Sequence, residues 1–131
     1  MKKILLLLPL AVLVSCQENP IYENDSYRMF SDRIVQGEYT GVAESPNRIV
    51  SDLDGEEYVW EKKNDLTAYP SLETPYLIEE AAFNIGLDES VNAVEPDGTL
   101  RTGLEWGGVW TRDVSYSTIL SMAYMQPQAA M

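Results

Sequence analysis

Hydrophobic and polar positions change rhythm three times along the chain. Residues 4–14 form an unbroken apolar run behind Met1-Lys2-Lys3. The run is too short to span about 30 Å of hydrocarbon as a helix and is followed by small residues, which predicts a secretion signal over residues 1–15. Residues 16–26 are polar and acidic with one proline, and predict an extended tether. Residues 27–66 read as short β-rich pieces separated by turns. The strongest local signal is Asp54-Gly55 between residues 48–53 and 56–60, since Asp-Gly supplies the positive φ angles of a type I′ hairpin. A second strand is expected over residues 33–39, ended by Gly41.

From residue 67 to 131 the period becomes helical. Thr74 is placed as an N-cap with Pro75 at the first helical position, where its missing N–H costs nothing. Leu77, Ile78, Ala81, Ala82 and Ile85 recur at helical spacing, and Gly86 is expected to stop the helix. Pro96-Asp97-Gly98 marks a turn. A second helix is expected to begin near Asp113 and to carry Tyr116, Ile119, Leu120, Ala123 and Tyr124 on one face, until Pro127 breaks it. Residues 128–131 look like the first turn of a third helix, which suggests an interrupted protein.

Composition narrows the chemistry. The 131 residues contain no histidine, which excludes Ser-His-Asp and Cys-His catalysis, HExxH zinc sites and imidazole bases. Loss of the signal, with Lys2 and Lys3, leaves 116 residues and moves the net charge from −12 to −14. So acidic a chain lacks the basic stripe that nucleic acid requires. Asp52, Asp54 and Glu56 place three carboxylates close together, but the remaining ligand positions of a calcium loop are missing. The hairpin reading is preferred, and neither a metal nor a cofactor is expected.

The only cysteine, Cys16, follows Leu13-Val14-Ser15 and resembles the lipobox cysteine of bacterial lipoproteins. That resemblance implies acylation at Cys16 and anchoring to the bacterial cell envelope, with the outer membrane as the expected site, periplasmic or surface-facing. Several acyl chains on one residue hold a protein stably on a membrane. The alternative is an ordinary signal peptide followed by a free thiol.

The richest chemistry lies in residues 99–113, which include Trp106-Gly107-Gly108-Val109-Trp110-Thr111-Arg112-Asp113. Gly107 and Gly108 make a helix through the tryptophans unfavourable. Trp106 and Trp110 on a loop beside Arg112 and Asp113 suit a sugar, whose C–H face packs on an aromatic ring while charged groups bond its hydroxyls. Blander roles stay open: the tryptophans plug the end of a helical core, Asp113 is an N-cap, and Arg112 neutralises it.

Residues 95–103, followed by residues 106–117 with the Trp-x-Arg-Asp element at their centre, resemble the N-terminal part of bacterial six-hairpin glycosidases. These are (α/α)6-barrel glycoside hydrolases that include glucoamylase-like, debranching-enzyme-like and α-L-rhamnosidase-like proteins. The resemblance implies that Arg112 and Asp113, with Trp110 beside them, grip the hydroxyls of the sugar in the −1 subsite. Residues 33–37 look like part of the strand-rich segment that precedes the barrel.

Twelve barrel helices of about 12 residues already need about 144 residues, more than the 116 that follow the signal. The expected fold is therefore an α+β fragment: a β-rich segment over residues 27–66, then the first helices of an incomplete all-α toroid over residues 67–131. The expected function is the N-terminal fragment of a lipid-anchored glycoside hydrolase acting on oligo- or polysaccharide. It would supply sugar-binding residues, while the resemblance implies that the acid and base that flank a glycosidic bond lie on later helices, beyond Met131. The alternatives are a non-catalytic glycan-binding surface lipoprotein and a structural lipoprotein without a ligand.

Overall fold

A computed structural model describes residues 19–102 and 110–131. Cys16, the signal and the first residues of the tether lie outside the described residues, as does the 103–109 stretch that holds Trp106.

The strands are β1 (Tyr22–Glu23), β2 (Arg28–Met29), β3 (Arg33–Gln36), β4 (Tyr39–Ser45), β5 (Arg48–Leu53) and β6 (Glu56–Glu61). They form one six-stranded antiparallel sheet in which each strand pairs with the next in sequence. Local turn chemistry dictates that order. The Asn24 side-chain oxygen accepts the N–H groups of Ser26 at 2.8 Å and Tyr27 at 2.9 Å, closing the first hairpin within the stretch read above as a tether. Gly37 turns the chain between β3 and β4 with φ +59°. Asp54 and Gly55 take φ +55° and +80°, as a type I′ turn requires, and pair Leu53 with Glu56. Asp52 is used locally: its carboxylate accepts the Gly55 N–H at 3.1 Å.

Gly41 does not end a strand. It sits inside β4, opposite Ile34 and Ser51, and the Tyr39 side chain two residues earlier folds across it. A Cβ at this position would lie 2.7 Å from the Tyr39 hydroxyl, so glycine provides the room that lets the ring lie flat on the strand.

Side chains alternate across the sheet. One face presents Ala43 and Ile49, with Met29, Ile34 and Trp60 packed around them. Val42, Val50 and Val59 align in register on the other face. Helix α1 (Leu77–Asn92) lays Ile78 and Ala81, flanked by Leu77 and Ile85, onto the first face. Ile78 is 4% exposed and Ala81 fully buried, and a buried isoleucine contributes about 1.5–3 kcal/mol. The Ile78 N–H donates to the Ser31 carbonyl at 3.0 Å, fixing the helix start to the sheet.

The start and end of α1 differ from the sequence reading. Tyr76 is the N-cap residue and gives no side-chain cap. Thr74 instead donates its hydroxyl to Glu79 and its N–H to Glu80, both at 2.9 Å. The helix runs through Gly86 for another turn and a half, because Leu87 and Asp88 beyond it are both buried. Tertiary contacts there outweigh the cost of about 1 kcal/mol for a helical glycine.

The second helical stretch begins with α2 (Thr111–Ser117), passes through a π-helical turn (Thr118–Met122) and ends with α3 (Ala123–Met125), just before Pro127. Its large apolar side chains face outward: Tyr116, Ile119, Leu120 and Tyr124 are 63–81% exposed, and Met122 alone is buried. Gln126 ties its end to the rest of the molecule by donating to the Tyr69 hydroxyl at 2.6 Å. Where the first turn of a third helix is expected, the chain makes a single turn: Ala129 and Ala130 donate their N–H groups to the Gln126 carbonyl at 3.1 and 3.0 Å, and Met131 follows it fully exposed.

The expected start of an all-α (α/α)6 toroid is overturned. The β-rich part forms as expected, but it is the body of the fold: α1 packs on β3 and β4 of a six-stranded sheet. The physical reason is that Ala43, Ile49, Ile34 and Trp60 offer an apolar surface that covers the α1 stripe. Periodicity reveals that a stripe exists without revealing what covers it.

Candidate functional site

The site lies where the chain leaves α1 and returns at α2. A turn over residues 95–99 reverses the direction: the Gly98 N–H donates to the Glu95 carbonyl and the Glu95 N–H to the Thr99 carbonyl, each at 2.8 Å. Gly98 takes φ +86°, which glycine adopts without strain. The Asp97 carboxylate accepts the Thr99 hydroxyl at 2.7 Å and the Thr99 N–H at 3.0 Å. Those bonds hold its carboxyl below the usual range. Leu100 bridges back to Val94 and is 5% exposed. Arg101 is held by its N–H to the Ala93 carbonyl at 2.9 Å, and its guanidinium lies 3.6 Å from Glu95.

Thr102 and Trp110 bring the two sides together. The Trp110 N–H donates to the Thr102 hydroxyl at 3.1 Å, and the Trp110 carbonyl accepts the Val114 N–H at 2.9 Å. Trp110 is therefore the N-cap residue of α2, with extended backbone. Asp113 falls in the first turn, where a negative charge favours the helix dipole. It does not cap the helix, which corrects that reading.

Thr102, Trp110, Arg112 and Asp113 line a cleft of about 390 Å³. Trp110 is 52% exposed, so it plugs no core. Arg112 and Asp113 are exposed and, among the described residues, form no ion pair with each other or with another side chain. This sets aside the reading of Arg112 as the neutralising partner of Asp113. The cleft thus combines a half-exposed tryptophan, a five-donor guanidinium, a carboxylate acceptor and a hydroxyl. That combination matches a ligand with apolar faces and many hydroxyls, through stacking and charge-assisted hydrogen bonds.

Of the residues singled out from sequence, Trp110, Arg112 and Asp113 are brought together; Trp106 and Cys16 lie outside the described residues. Met131 lines a neighbouring cleft with residues 97–100. Thr102 was missed. It belongs to the same motif, but only the fold shows that it bonds the Trp110 backbone across the cleft. Among the described residues, no group of three or more acidic or cysteine side chains is placed to hold a metal ion, and no helix is long and apolar enough to cross a membrane.

Compared with family models, with curated proteins and with solved structures, the chain matches none of them.

Proposed function

We propose that the chain binds an oligo- or polysaccharide in the cleft at the start of α2, supplying the groups that grip the sugar in a glycoside hydrolase. The observation that carries this reading is the half-exposed Trp110 sharing one cleft with Arg112 and Asp113, whose charges are not spent on ion pairs among the described residues. Trp110 stacks on a ring face, Arg112 donates to neighbouring hydroxyls, and Asp113 accepts from them. Hydrolysis needs two carboxylates flanking the glycosidic bond. Asp113 is the one carboxylate among the described residues lining this cleft, and its proposed role is binding. Cys16, acylated, anchors the chain to the bacterial cell envelope.

Calorimetric titration of the full chain with soluble glycans, alongside Trp110→Ala, Arg112→Ala and Asp113→Asn, tests this. Loss of a charge-assisted contact of about 1.5–3 kcal/mol weakens binding roughly ten- to a hundredfold. Melting temperatures stay nearly constant, because all three side chains are exposed. Glycan binding that ignores all three substitutions, or no glycan binding by the unsubstituted chain, overturns the proposal.

A further inference from the structure

We infer that the free edge of β6 docks an extended, apolar segment of another protein flanked by basic residues, which adds a strand to the six-stranded sheet. The carbohydrate cleft plays no part in this. Strand order leaves two edges, β1 and β6. β1 has only 2 residues and is too short to serve as a template. β6 has 6.

The hairpin decides which backbone groups of β6 are free. In a two-residue type I′ turn the flanking residues, here Leu53 and Glu56, form the closing hydrogen-bonded pair, and along an antiparallel ladder such pairs alternate with non-bonded ones. Glu56, Tyr58 and Trp60 therefore aim their N–H and C=O groups at β5, and the Lys62 N–H continues the series by donating to the Asn47 carbonyl at 2.9 Å. Glu57, Val59 and Glu61 aim theirs away from the sheet. Among the described residues, none of these three backbone positions is hydrogen-bonded on that outer side. The chain leaving β6 turns to α1 at Asn64, whose side chain is bonded to Asp88.

The side chains along this edge specify the occupant. Glu57, Val59 and Glu61 share the far face of the sheet. Glu57 stands directly opposite Asp52, a like-charge pair that costs stability. Neither carboxylate has an ion-pair partner among the described residues. Val59, 47% exposed, ends the row begun by Val42 and Val50. An added strand that places basic residues beside Glu57 and Glu61 and a β-branched one beside Val59 neutralises the first and extends the second. Its intervening residues lie on the opposite face, where Tyr58 is 53% exposed, and apolar side chains fit there. The same carboxylates work against a second copy. Antiparallel pairing about Val59 would set Glu57 against Glu61 of the other copy, and parallel in-register pairing would set each against itself. The net charge of −12 adds long-range attraction for a basic partner.

The probe is the end-blocked peptide Thr-Lys-Ile-Val-Ile-Lys-Thr, titrated into the isotopically labelled full chain while amide hydrogen exchange is followed. The Glu57, Val59 and Glu61 amides are expected to exchange at least about tenfold more slowly with peptide bound, since strand addition hydrogen-bonds them. Glu57→Lys sets a cation opposite Asp52 and keeps the hairpin. It is expected to weaken binding roughly five- to tenfold by trading an attractive cross-strand pair for a repulsive one. Val59→Pro removes an N–H that the sheet does not use, a change an edge strand tolerates, and is expected to abolish binding. No binding by the peptide, binding without protection of these amides, or affinity unmoved in Glu57→Lys overturns the inference. Equal binding by the peptide with both lysines replaced by glutamate also overturns it. Protection in the free chain that rises with its own concentration does so too, by making a second copy the occupant.

Discussion

The carboxylate of Asp88 in α1 accepts the side-chain amide of Asn64 at 2.8 Å, and the same amide donates to the side-chain oxygen of Asn92 at 3.0 Å. Asp88 also accepts the backbone N–H of Asn64 at 3.0 Å and of Lys63 at 3.4 Å. It is 1% exposed. One buried charge thus fastens the chain leaving β6 to the last turns of the helix that covers the sheet. Asp88→Asn sets an amide donor against these donors, and is expected to destabilise the fold by about 1–3 kcal/mol. Urea unfolding of the two proteins measures it; a difference below about 0.5 kcal/mol would show that the contact is incidental.

The same carboxylate gives stability an acid limit. Burial, the largest single influence, pushes the Asp88 carboxyl up. Hydrogen bonds from the Asn64 side chain and from the Asn64 and Lys63 N–H groups outweigh it and hold the carboxyl below its usual value of 3.8. The Trp60 indole N–H also favours the charged form, although it falls outside hydrogen-bonding geometry and has no partner among the described residues. A carboxyl whose pKa is lower folded than unfolded contributes its full stability above the unfolded value and loses it as pH falls through the folded one. The melting temperature is therefore expected to drop more steeply below about pH 4 in the native protein than in Asp88→Ala. Parallel melting curves across that range would contradict the assignment.

How much of this was legible depends on whether a feature is local. Asp54-Gly55 specifies its hairpin because two adjacent residues set the φ angles, and β5 and β6 follow from it. Gly86 misled because a helix stop is a local preference, whereas the burial of Leu87 and Asp88 depends on distant residues such as Asn64, 24 positions from Asp88. Gly41 misled for the reverse reason: its missing side chain serves Tyr39, a neighbour on the same strand face, and breaks nothing. Trp110, Arg112 and Asp113 were singled out by their chemistry, and the fold brings them to one cleft. Their geometry was not legible, since it rests on Thr102 and on a turn whose position only the fold reveals.

The outward apolar face of the second helical stretch has a solution consequence. Ile119 and Leu120 are 71% and 78% exposed, so replacing them removes few internal contacts while shrinking a sticky patch. Ile119→Lys with Leu120→Glu is expected to lower aggregation and dye binding to exposed apolar surface, with stability changed by less than about 1 kcal/mol. A large loss of stability in light-scattering-monitored melts would mean that this face is packed in the folded protein.

The anchor assignment has its own test. Metabolic labelling with a palmitate analogue is expected to mark the chain and to fail in Cys16→Ser, which should also leave the membrane fraction. Label that persists after this substitution would remove Cys16 as the attachment point.

The central claim, a carbohydrate site at the start of α2, is tested most directly by amide chemical-shift mapping of the isotopically labelled chain during titration with the tightest-binding oligosaccharide. The expected result is a set of saturable shifts at Thr102, Arg112, Asp113 and the Trp110 backbone and indole N–H, with the Val42, Val50 and Val59 amides on the far sheet face unmoved. Shifts centred on that valine face, or none at the start of α2 under saturating ligand, would contradict it.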